Sequence, residues 1–256
     1  MGEALAAGLI QHGWDPASLA IAEIEGDRRR VLEERLPGVR LVPTPSWAVV
    51  DADVIVIAVK PADAVAALTE CADALPDGAL VLSIAAGVTL AALEAAAPGH
   101  PVVRAMPNTG ALVGQGAAAI AAGTLATNTD VEACERILSG VGTVVRVPET
   151  QLDAVTGLSG SGPAYVFLVA EAMIEAGVLA GLARDVSDQL VRQTLLGAAT
   201  LLADPDASPE SLRAAVTSPG GTTAAGLAVL EAHGVRAALL EAITAAARRS
   251  KELGQA

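Results

Sequence analysis

The first 147 residues alternate short apolar runs with amphipathic segments. Residues 53–59, DVIVIAV, carry apolar and mostly β-branched side chains, which is typical of a parallel strand buried on both faces. The pattern predicts strands at residues 19–24, 53–59, 79–84, 101–106, 116–122 and 143–147. It predicts helices between them at residues 3–12, 27–36, 61–75, 89–97 and 130–139. This alternation indicates an α/β fold with a doubly wound, mostly parallel sheet.

The pattern changes after residue 147. The rest of the chain places apolar residues at the 3.6-residue period of an α-helix and contains no convincing strand segment. The predicted helices lie at residues 151–157, 162–180, 185–203, 208–216, 222–233 and 235–252. We therefore predict two domains, an α/β domain at residues 1–147 and an all-helical domain at residues 148–256.

The composition excludes some classes of protein. Hydrophobic residues make up 52% of the 256 residues, which is too many for intrinsic disorder. The formal net charge is −13, and aromatic residues are 2% of the chain. These values argue against a nucleic-acid partner, because binding phosphates needs clustered Lys and Arg and stacking bases needs aromatic rings.

The mean hydropathy of +0.51 is high for a soluble protein and raises the question of a membrane segment. The most apolar stretch, residues 164–182, contains Glu171 and Glu175, whereas a membrane span needs ~20 apolar residues without charge. The N-terminus has no basic region of the kind that begins a signal peptide. We therefore expect no membrane segment, and we expect burial between subunits to absorb the excess of apolar side chains.

Residues that could bind a metal or act as nucleophiles are sparse. The three histidines, at positions 12, 100 and 233, lie far apart, and nothing resembles a zinc motif or a catalytic triad. We expect no metal site. Cys71 and Cys134 are isolated from each other, which indicates a reducing, cytoplasmic location rather than a disulfide framework.

Small and polar residues follow three predicted strands, at the edge where doubly wound sheets bind ligands. Ala58-Val59-Lys60-Pro61 follows the second strand, residues 85–89 (AAGVT) the third and Met106-Pro107-Asn108-Thr109 the fourth. Met1-Gly2 precedes a helix as the last glycine of a dinucleotide-binding turn does. Each segment also has an ordinary structural interpretation, and capping alone accounts for Thr89: the others are a solvated lysine, an Asx turn and a frayed N-terminus.

Two glycine-rich segments begin helices of the second domain. In residues 158–163 (LSGSGP), Ser161 is a good helix cap, and capping alone is enough to account for the segment. Residues 217–223 (TSPGGTT) combine hydroxyl groups, a glycine pair and a helix N-terminus. Such a segment can bind a carboxylate through backbone N–H groups while a threonine hydroxyl donates a hydrogen bond.

Five motifs in register resemble the pyrroline-5-carboxylate reductase family. DAVTGLSGSGPAY (153–165) and VTSPGGTTAAGL (216–227) are the most specific, and AVKP (58–61), AAGVT (85–89) and RAMPNT (104–109) match in order and spacing. The resemblance covers essentially the whole chain. It implies a Rossmann domain followed by a helical domain that interlocks with a second subunit as a homodimer, and dimers of this family often form larger rings. The implied reaction is hydride transfer from NADPH or NADH to the imine carbon of 1-pyrroline-5-carboxylate, which gives L-proline.

The resemblance also implies roles for individual residues. Thr223 would be the catalytic hydroxyl close to the ring nitrogen of the imine. The residues implied in substrate binding are Ser218, Gly220, Gly221, Thr222 and Thr223. The residues implied in cofactor binding are Met1, Gly2, Glu23, Ala58, Val59, Lys60, Pro61, Met106, Asn108, Gly162 and Pro163.

Two features depart from the family pattern. The first strand and the leading glycines of the phosphate-binding turn, about ten residues that the family pattern places before Met1, are not in this sequence. A misassigned start or a truncation would account for this; if the protein begins at Met1, we expect weaker cofactor binding. The second departure is the run Glu23-Ile24-Glu25-Gly26-Asp27-Arg28, where relatives often carry an arginine in place of Ile24. Glu23 would repel the 2′-phosphate of NADPH, whereas Arg28 and Arg29 could attract it, so the run slightly favours NADH and leaves dual use open.

Two other functions remain open from the sequence. A two-domain reductase of the β-hydroxyacid dehydrogenase type generally needs a lysine on the long helix after the domain boundary, and residues 162–180 contain no Lys or Arg. A non-catalytic dimeric scaffold would account for the incomplete phosphate turn. It would not need the carboxylate-binding segment at residues 217–223.

Overall fold

A computed structural model describes residues 1–254. The chain forms two compact units. The first, the sheet unit, contains Met1–Ser161 together with the chain from Ile243 onward. The second, the helical unit, contains Gly162–Ala242.

The sheet unit contains seven strands within the part of the chain that the structure describes. They are β1 (Ala20–Ala22), β2 (Arg40–Val42), β3 (Val54–Ile57), β4 (Leu80–Ser83), β5 (Val102–Met106), β6 (Gly116–Ala122) and β7 (Gly142–Arg146). β1 and β2 form a parallel pair, and the other strands form a five-stranded sheet in the order β3-β4-β5-β6-β7. Val54 lies opposite Leu80 and Val81 opposite Val102, in parallel register. Only the β5–β6 pair of this sheet is antiparallel, so the predicted mostly parallel sheet is confirmed.

Helices cover both faces of the larger sheet. The helices of this unit are α1 (Gly2–Gln11), α2 (Gly26–Arg35), α3 (Pro45–Ala48), α4 (Pro61–Cys71), α5 (Leu90–Ala96), α6 (Asn128–Ser139) and α7 (Leu152–Val155). Val81 and Val102 point into a core with α4 and α5, whereas Leu82 and Val103 point into a core with α1 and α6. Successive strand residues point to opposite faces, so both cores come from the same strands. The doubly wound arrangement is therefore confirmed.

The sheet differs from the prediction in three places. The prediction missed β2 and α3, because segments of three and four residues are too short to show a period. β3 ends at Ile57 rather than at residue 59, which leaves Ala58, Val59 and Lys60 in an exposed turn. In the described chain β1 and β2 pair only with each other, so the strands form two sheets rather than the single predicted sheet.

The helical unit contains α8 (Gly162–Leu179), α9 (Arg184–Leu202), α10 (Pro209–Ala215), α11 (Thr222–Ala232) and the start of α12 (Val235–Leu253). α8 and α9 pack closely, because Gly177 faces Ser187, whose hydroxyl donates to the carbonyl oxygen of Ile174 at 2.8 Å. Of residues 162–242, which are all described, only Ser187 and Val191 are buried. This unit therefore leaves almost all of its apolar side chains uncovered in a single copy.

The compact units divide later than the predicted domains. The sheet unit keeps residues 148–161 because Leu152, which is fully buried, lies in the core beside α4 and α5. The C-terminal part of α12 also belongs to this unit: Ser250 donates to Asp153 at 2.7 Å. A Cβ on Gly157 would lie 2.6 Å from the carbonyl oxygen of Ile243, so α12 approaches this turn closely. A functional division at residues 147 and 148 stays a prediction.

A buried ion pair connects three parts of the sheet unit. Arg104 of β5 is 6% exposed, and its Nη1 donates to Oε1 of Glu149 at 3.0 Å. The same oxygen accepts the backbone N–H of Leu90, the first residue of α5, at 2.7 Å. Glu149 therefore joins the end of the sheet to the start of α5.

Replacing Glu149 with alanine is expected to lower the free energy of unfolding by about 2 kcal/mol, because Arg104 would stay buried without its partner. Urea unfolding would measure the change. The matched control is Glu252→Ala, which removes an exposed pair with Arg249 and should cost under about 0.5 kcal/mol. Equal effects of the two substitutions would contradict a structural role for Glu149.

Candidate active site

The N-terminus of α1 lies beside the carboxyl end of β3. A Cβ on Gly2 would lie 3.1 Å from the Cβ of Ala58, so glycine permits this close approach. No side chain caps α1, whose N-cap residue is Met1. Its first backbone N–H groups can therefore bind an anion such as a pyrophosphate. By this test the residues present fit a dinucleotide.

The turn after β3 carries an exposed lysine, Lys60, at the same edge of the sheet. Ala58, Val59 and Lys60 are all exposed, and Lys60 is the N-cap residue of α4. Pro61 occupies the first position of α4, where a missing N–H costs nothing. Lys60 therefore follows the carboxyl end of β3, the edge at which doubly wound sheets bind ligands, and its part in cofactor binding stays a prediction.

Asn108 is engaged by the protein itself. Its Oδ1 accepts the backbone N–H groups of Gly110 and Ala117, each at 3.1 Å. Its Nδ2 donates to the carbonyl oxygen of Ser159 at 3.0 Å. The side-chain amide of Asn108 therefore fixes the turn after β5 to the glycine-rich segment, so any part it has in cofactor binding is through positioning that turn.

The glycine-rich segment follows α7 as one turn of π-helix, Thr156–Gly160. A Cβ on Gly160 would lie 2.6 Å from Cε of Met106, so the absence of a side chain lets Met106 lie against this turn. Ser161 ends the turn, and Gly162 and Pro163 then begin α8. Gly162 and Pro163 belong to the helical unit, whereas Met106 belongs to the sheet unit.

The segment at residues 217–223 forms one compact turn in the helical unit. Gly220 has φ +70°, and the N–H of Gly221 donates to the carbonyl oxygen of Ser218 at 3.0 Å. The positive φ favours glycine at position 220, and a Cβ on Gly221 would press against Oγ of Ser218. α11 begins at Thr222 with no side-chain cap, and Thr222 and Thr223 are exposed. The turn thus offers uncapped N–H groups and hydroxyls to an anionic ligand.

Sequence reasoning missed three residues of this region. It did not identify Arg104 and Glu149, although an arginine inside the apolar run PVVRAM signals a buried partner. It also missed Glu3 of α1, which forms ion pairs with Arg28 and Arg35 of α2. Side-chain hydrogen bonds from Arg35, and then from Arg28, lower the pKa of Glu3.

The described residues contain no cluster of potential metal ligands, and both cysteine thiols have raised pKa values. No group of three or more His, Cys, Asp or Glu side chains is arranged to hold a metal ion within residues 1–254. Burial raises the pKa of the Cys134 thiol to about 12, and burial also raises the pKa of Cys71. Both thiols are therefore protonated at neutral pH and are poor nucleophiles.

Comparisons with known proteins cover both units. A family model described as pyrroline-5-carboxylate reductase dimerisation matches residues 149–253, and one described as NADP oxidoreductase coenzyme F420-dependent matches residues 1–87. The pyrroline-5-carboxylate reductase of Synechocystis is 45% identical over 100% of this chain and 95% of its own length. That of Mycobacterium tuberculosis is 42% identical over 99% of this chain and 93% of its own length.

Two solved structures of enzymes with the same name also have the same fold as this chain. A pyrroline-5-carboxylate reductase from Coxiella burnetii has a TM-score of 0.93 and 37% identity, and covers 98% of this chain and 94% of its own. Plasmodium falciparum pyrroline carboxylate reductase with NADP bound has a TM-score of 0.86 and 31% identity, and covers 99% of this chain and 94% of its own.

A Rossmann-like unit with a helix N-terminus at its ligand-binding edge, joined to a helical dimerisation domain, defines a two-domain NAD(P)H-dependent oxidoreductase. The 45% sequence identity over the full length of the chain identifies one family within this class. The chain belongs to the pyrroline-5-carboxylate reductase family.

Proposed function

We propose that this protein reduces 1-pyrroline-5-carboxylate to L-proline with NADH or NADPH, the last step of proline biosynthesis. The observation that carries the proposal is the turn at residues 217–223, which presents uncapped backbone N–H groups and the exposed hydroxyl of Thr223. A scaffold without substrate would have no need of such a turn. A β-hydroxyacid dehydrogenase would need a lysine that α8 lacks.

The substrate carboxylate is bound by the N-terminus of α11. Ser218, Gly220, Gly221 and Thr222 shape this anion site, and the positive end of the helix dipole favours a negative group there. Binding the carboxylate would fix the orientation of the substrate ring and of its C=N bond. Small residues in the turn allow the short approach of ~3–3.5 Å that the reacting atoms need.

Thr223 is the proposed catalytic residue, because its hydroxyl donates a hydrogen bond to the ring nitrogen. The bound cofactor supplies a hydride from C4 of its nicotinamide. When the imine carbon gains the hydride, the π-electron pair would move to the ring nitrogen, which would keep the hydrogen bond from Thr223 and then take a proton from water. A neutral hydroxyl suffices to stabilise this change, so the chemistry needs no histidine.

The cofactor is held by the sheet unit. Met1 and Gly2 would hold its pyrophosphate, and Ala58, Val59, Lys60 and Pro61 would line the site of its ribose and nicotinamide. Glu23 meets the adenosine ribose. In the sheet unit, Met106 and Asn108 would complete the cofactor site, Asn108 by fixing the turn after β5. Gly162 and Pro163, at the start of α8, are also assigned to cofactor binding.

The protein acts as a homodimer that forms through its helical unit. Such dimers can assemble further into a larger ring. Support comes from the dimerisation model that matches residues 149–253 and from the uncovered apolar side chains of residues 162–242. Residues Glu149–Leu179 are long and apolar enough to cross a membrane by length and composition. We propose that the apolar side chains of this segment contact a second subunit rather than lipid. We expect a cytoplasmic enzyme that does not bind nucleic acid.

The test of the proposed function is oxidation of NADH or NADPH by the purified chain in the presence of 1-pyrroline-5-carboxylate, followed by absorbance. The control reaction omits the imine. Turnover that depends on the imine supports the proposal. Cofactor that binds but is never oxidised would favour the scaffold.

A further inference from the structure

The turn between β1 and α2 holds a carboxylate at the end of the strand. Glu23 follows β1 directly, and its Oε1 accepts the backbone N–H of Glu25 at 3.0 Å. Glu23 also lies 21 residues after Gly2 in the sequence. At about 20 residues, dinucleotide-binding domains place the group that meets the adenosine ribose. A carboxylate there accepts a hydrogen bond from the 2′-hydroxyl of NADH, and it repels the 2′-phosphate of NADPH.

Arginines next to this turn could cancel that repulsion, but two of them are engaged. Nη1 of Arg29 donates to the carbonyl oxygens of Glu23 and Ile24, at 2.5 Å and 2.9 Å, and so fixes the backbone of the turn. Arg30 forms an ion pair with Asp27 on the outer surface, where both side chains are well exposed. Each guanidinium therefore already donates to oxygens of the protein, and a phosphate would compete with those contacts.

The remaining arginine, Arg28, is held by α1. Glu3, in the first turn of α1, uses Oε2 to bind Arg28 and Oε1 to bind Arg35 at 3.0 Å. Its side chain is 26% exposed, and each of its oxygens has a cationic partner. A 2′-phosphate could recruit Arg28 only by competing with this carboxylate.

We propose that Glu3 is a specificity-determining residue that engages Arg28 and so sets the preference of this chain for NADH over NADPH. The inference rests on the proposed function of the sheet unit as the cofactor-binding domain. It adds a residue of α1, outside the ribose-binding turn, to the features that discriminate the two cofactors. Glu23 supplies the hydrogen bond to the ribose diol, and Glu3 withholds the nearest cation from a phosphate.

Cofactor binding by isothermal titration calorimetry tests the inference without the reaction. The wild-type chain should bind NADH about 10-fold more tightly than NADPH, as expected for one lost charge-assisted hydrogen bond and one added repulsion. Glu3→Gln keeps the size of the side chain and frees Arg28, so NADPH should gain about 3- to 10-fold relative to NADH. Glu33→Gln removes the same charge from the exposed face of α2 and should leave the ratio unchanged.

A second variant keeps the inference testable if Glu3→Gln fails to fold. Arg28→Gln removes the cation that Glu3 engages, so NADPH affinity should stay as in the wild type if Glu3 withholds Arg28 from the phosphate. A loss of NADPH affinity in Arg28→Gln would show that Arg28 already binds the phosphate and would overturn the inference. Equal wild-type affinities, or a ratio that Glu3→Gln and Glu33→Gln change alike, would overturn the inference. Such a result with imine-dependent turnover intact would leave the proposed function standing. Preferential NADH binding without any turnover would support the inference and count against the proposed function.

Discussion

Valine in place of Thr223 is expected to lower kcat by about 10- to 10³-fold, the range for loss of one hydrogen-bond donor to a developing charge. The side chain is exposed at the start of α11 and does not cap the helix, so its removal should leave the fold intact. Valine has the shape of threonine and lacks only the hydroxyl. Steady-state kinetics with saturating cofactor would measure the change.

The control for this prediction is Thr223→Ser, which keeps the hydroxyl and should retain most of the activity. If the hydroxyl acts in the transition state, valine lowers kcat and kcat/KM together. A rise in KM with unchanged kcat would instead assign Thr223 to binding the substrate. Unchanged kinetics in Thr223→Val would remove the residue from the mechanism.

A charge placed in the apolar surface of the helical unit is expected to separate the subunits. Phe167 of α8 is 63% exposed in a single copy, and its neighbours Leu168 and Val169 are 65% and 46% exposed. We predict that Phe167→Asp weakens the dimer about 100-fold, as is usual when a central aromatic side chain of an interface is lost and a charge is buried. Analytical ultracentrifugation at micromolar concentration would measure the change.

The matched control is Asn128→Asp, which adds the same charge at the first turn of α6, where a carboxylate is favourable. This variant should stay dimeric. Because the dimer stabilises the folded helical unit, the melting temperature of the wild-type protein should rise with its concentration, and that of Phe167→Asp should be lower. A monomeric wild-type protein would contradict the assignment of this surface to a second subunit.

The sequence predicts the central strands of the sheet unit well because β4 and β5 are buried on both faces. A short, continuous run of β-branched apolar residues such as 53–59 is typical of a buried parallel strand, and the structure places a strand within that run. β2 escaped prediction because Arg40–Val42 is too short to show a pattern. The antiparallel β5–β6 pair was also not predicted, since strand direction depends on how the connection folds back.

The sequence motifs predict which segments form the candidate site, but they do not predict the contacts that their side chains make. The uncapped N-terminus of α11 follows from the glycines before it, which are visible in the sequence. The engagement of Asn108 by three backbone groups is not visible, because its partners lie up to 51 residues away. The pairing of Glu3 with Arg28 is likewise set by the packing of α1 against α2, to which no local pattern points.

The most direct test of the central claim follows the hydride itself. The protein would be supplied with NADH deuterated at C4 and with 1-pyrroline-5-carboxylate, and the product would be analysed by mass spectrometry and NMR. The account predicts L-proline that carries one deuterium on the ring carbon bonded to nitrogen, away from the carbon that bears the carboxylate. Absence of labelled proline, with the cofactor bound and the imine intact, would contradict the claim that this chain is an imine reductase.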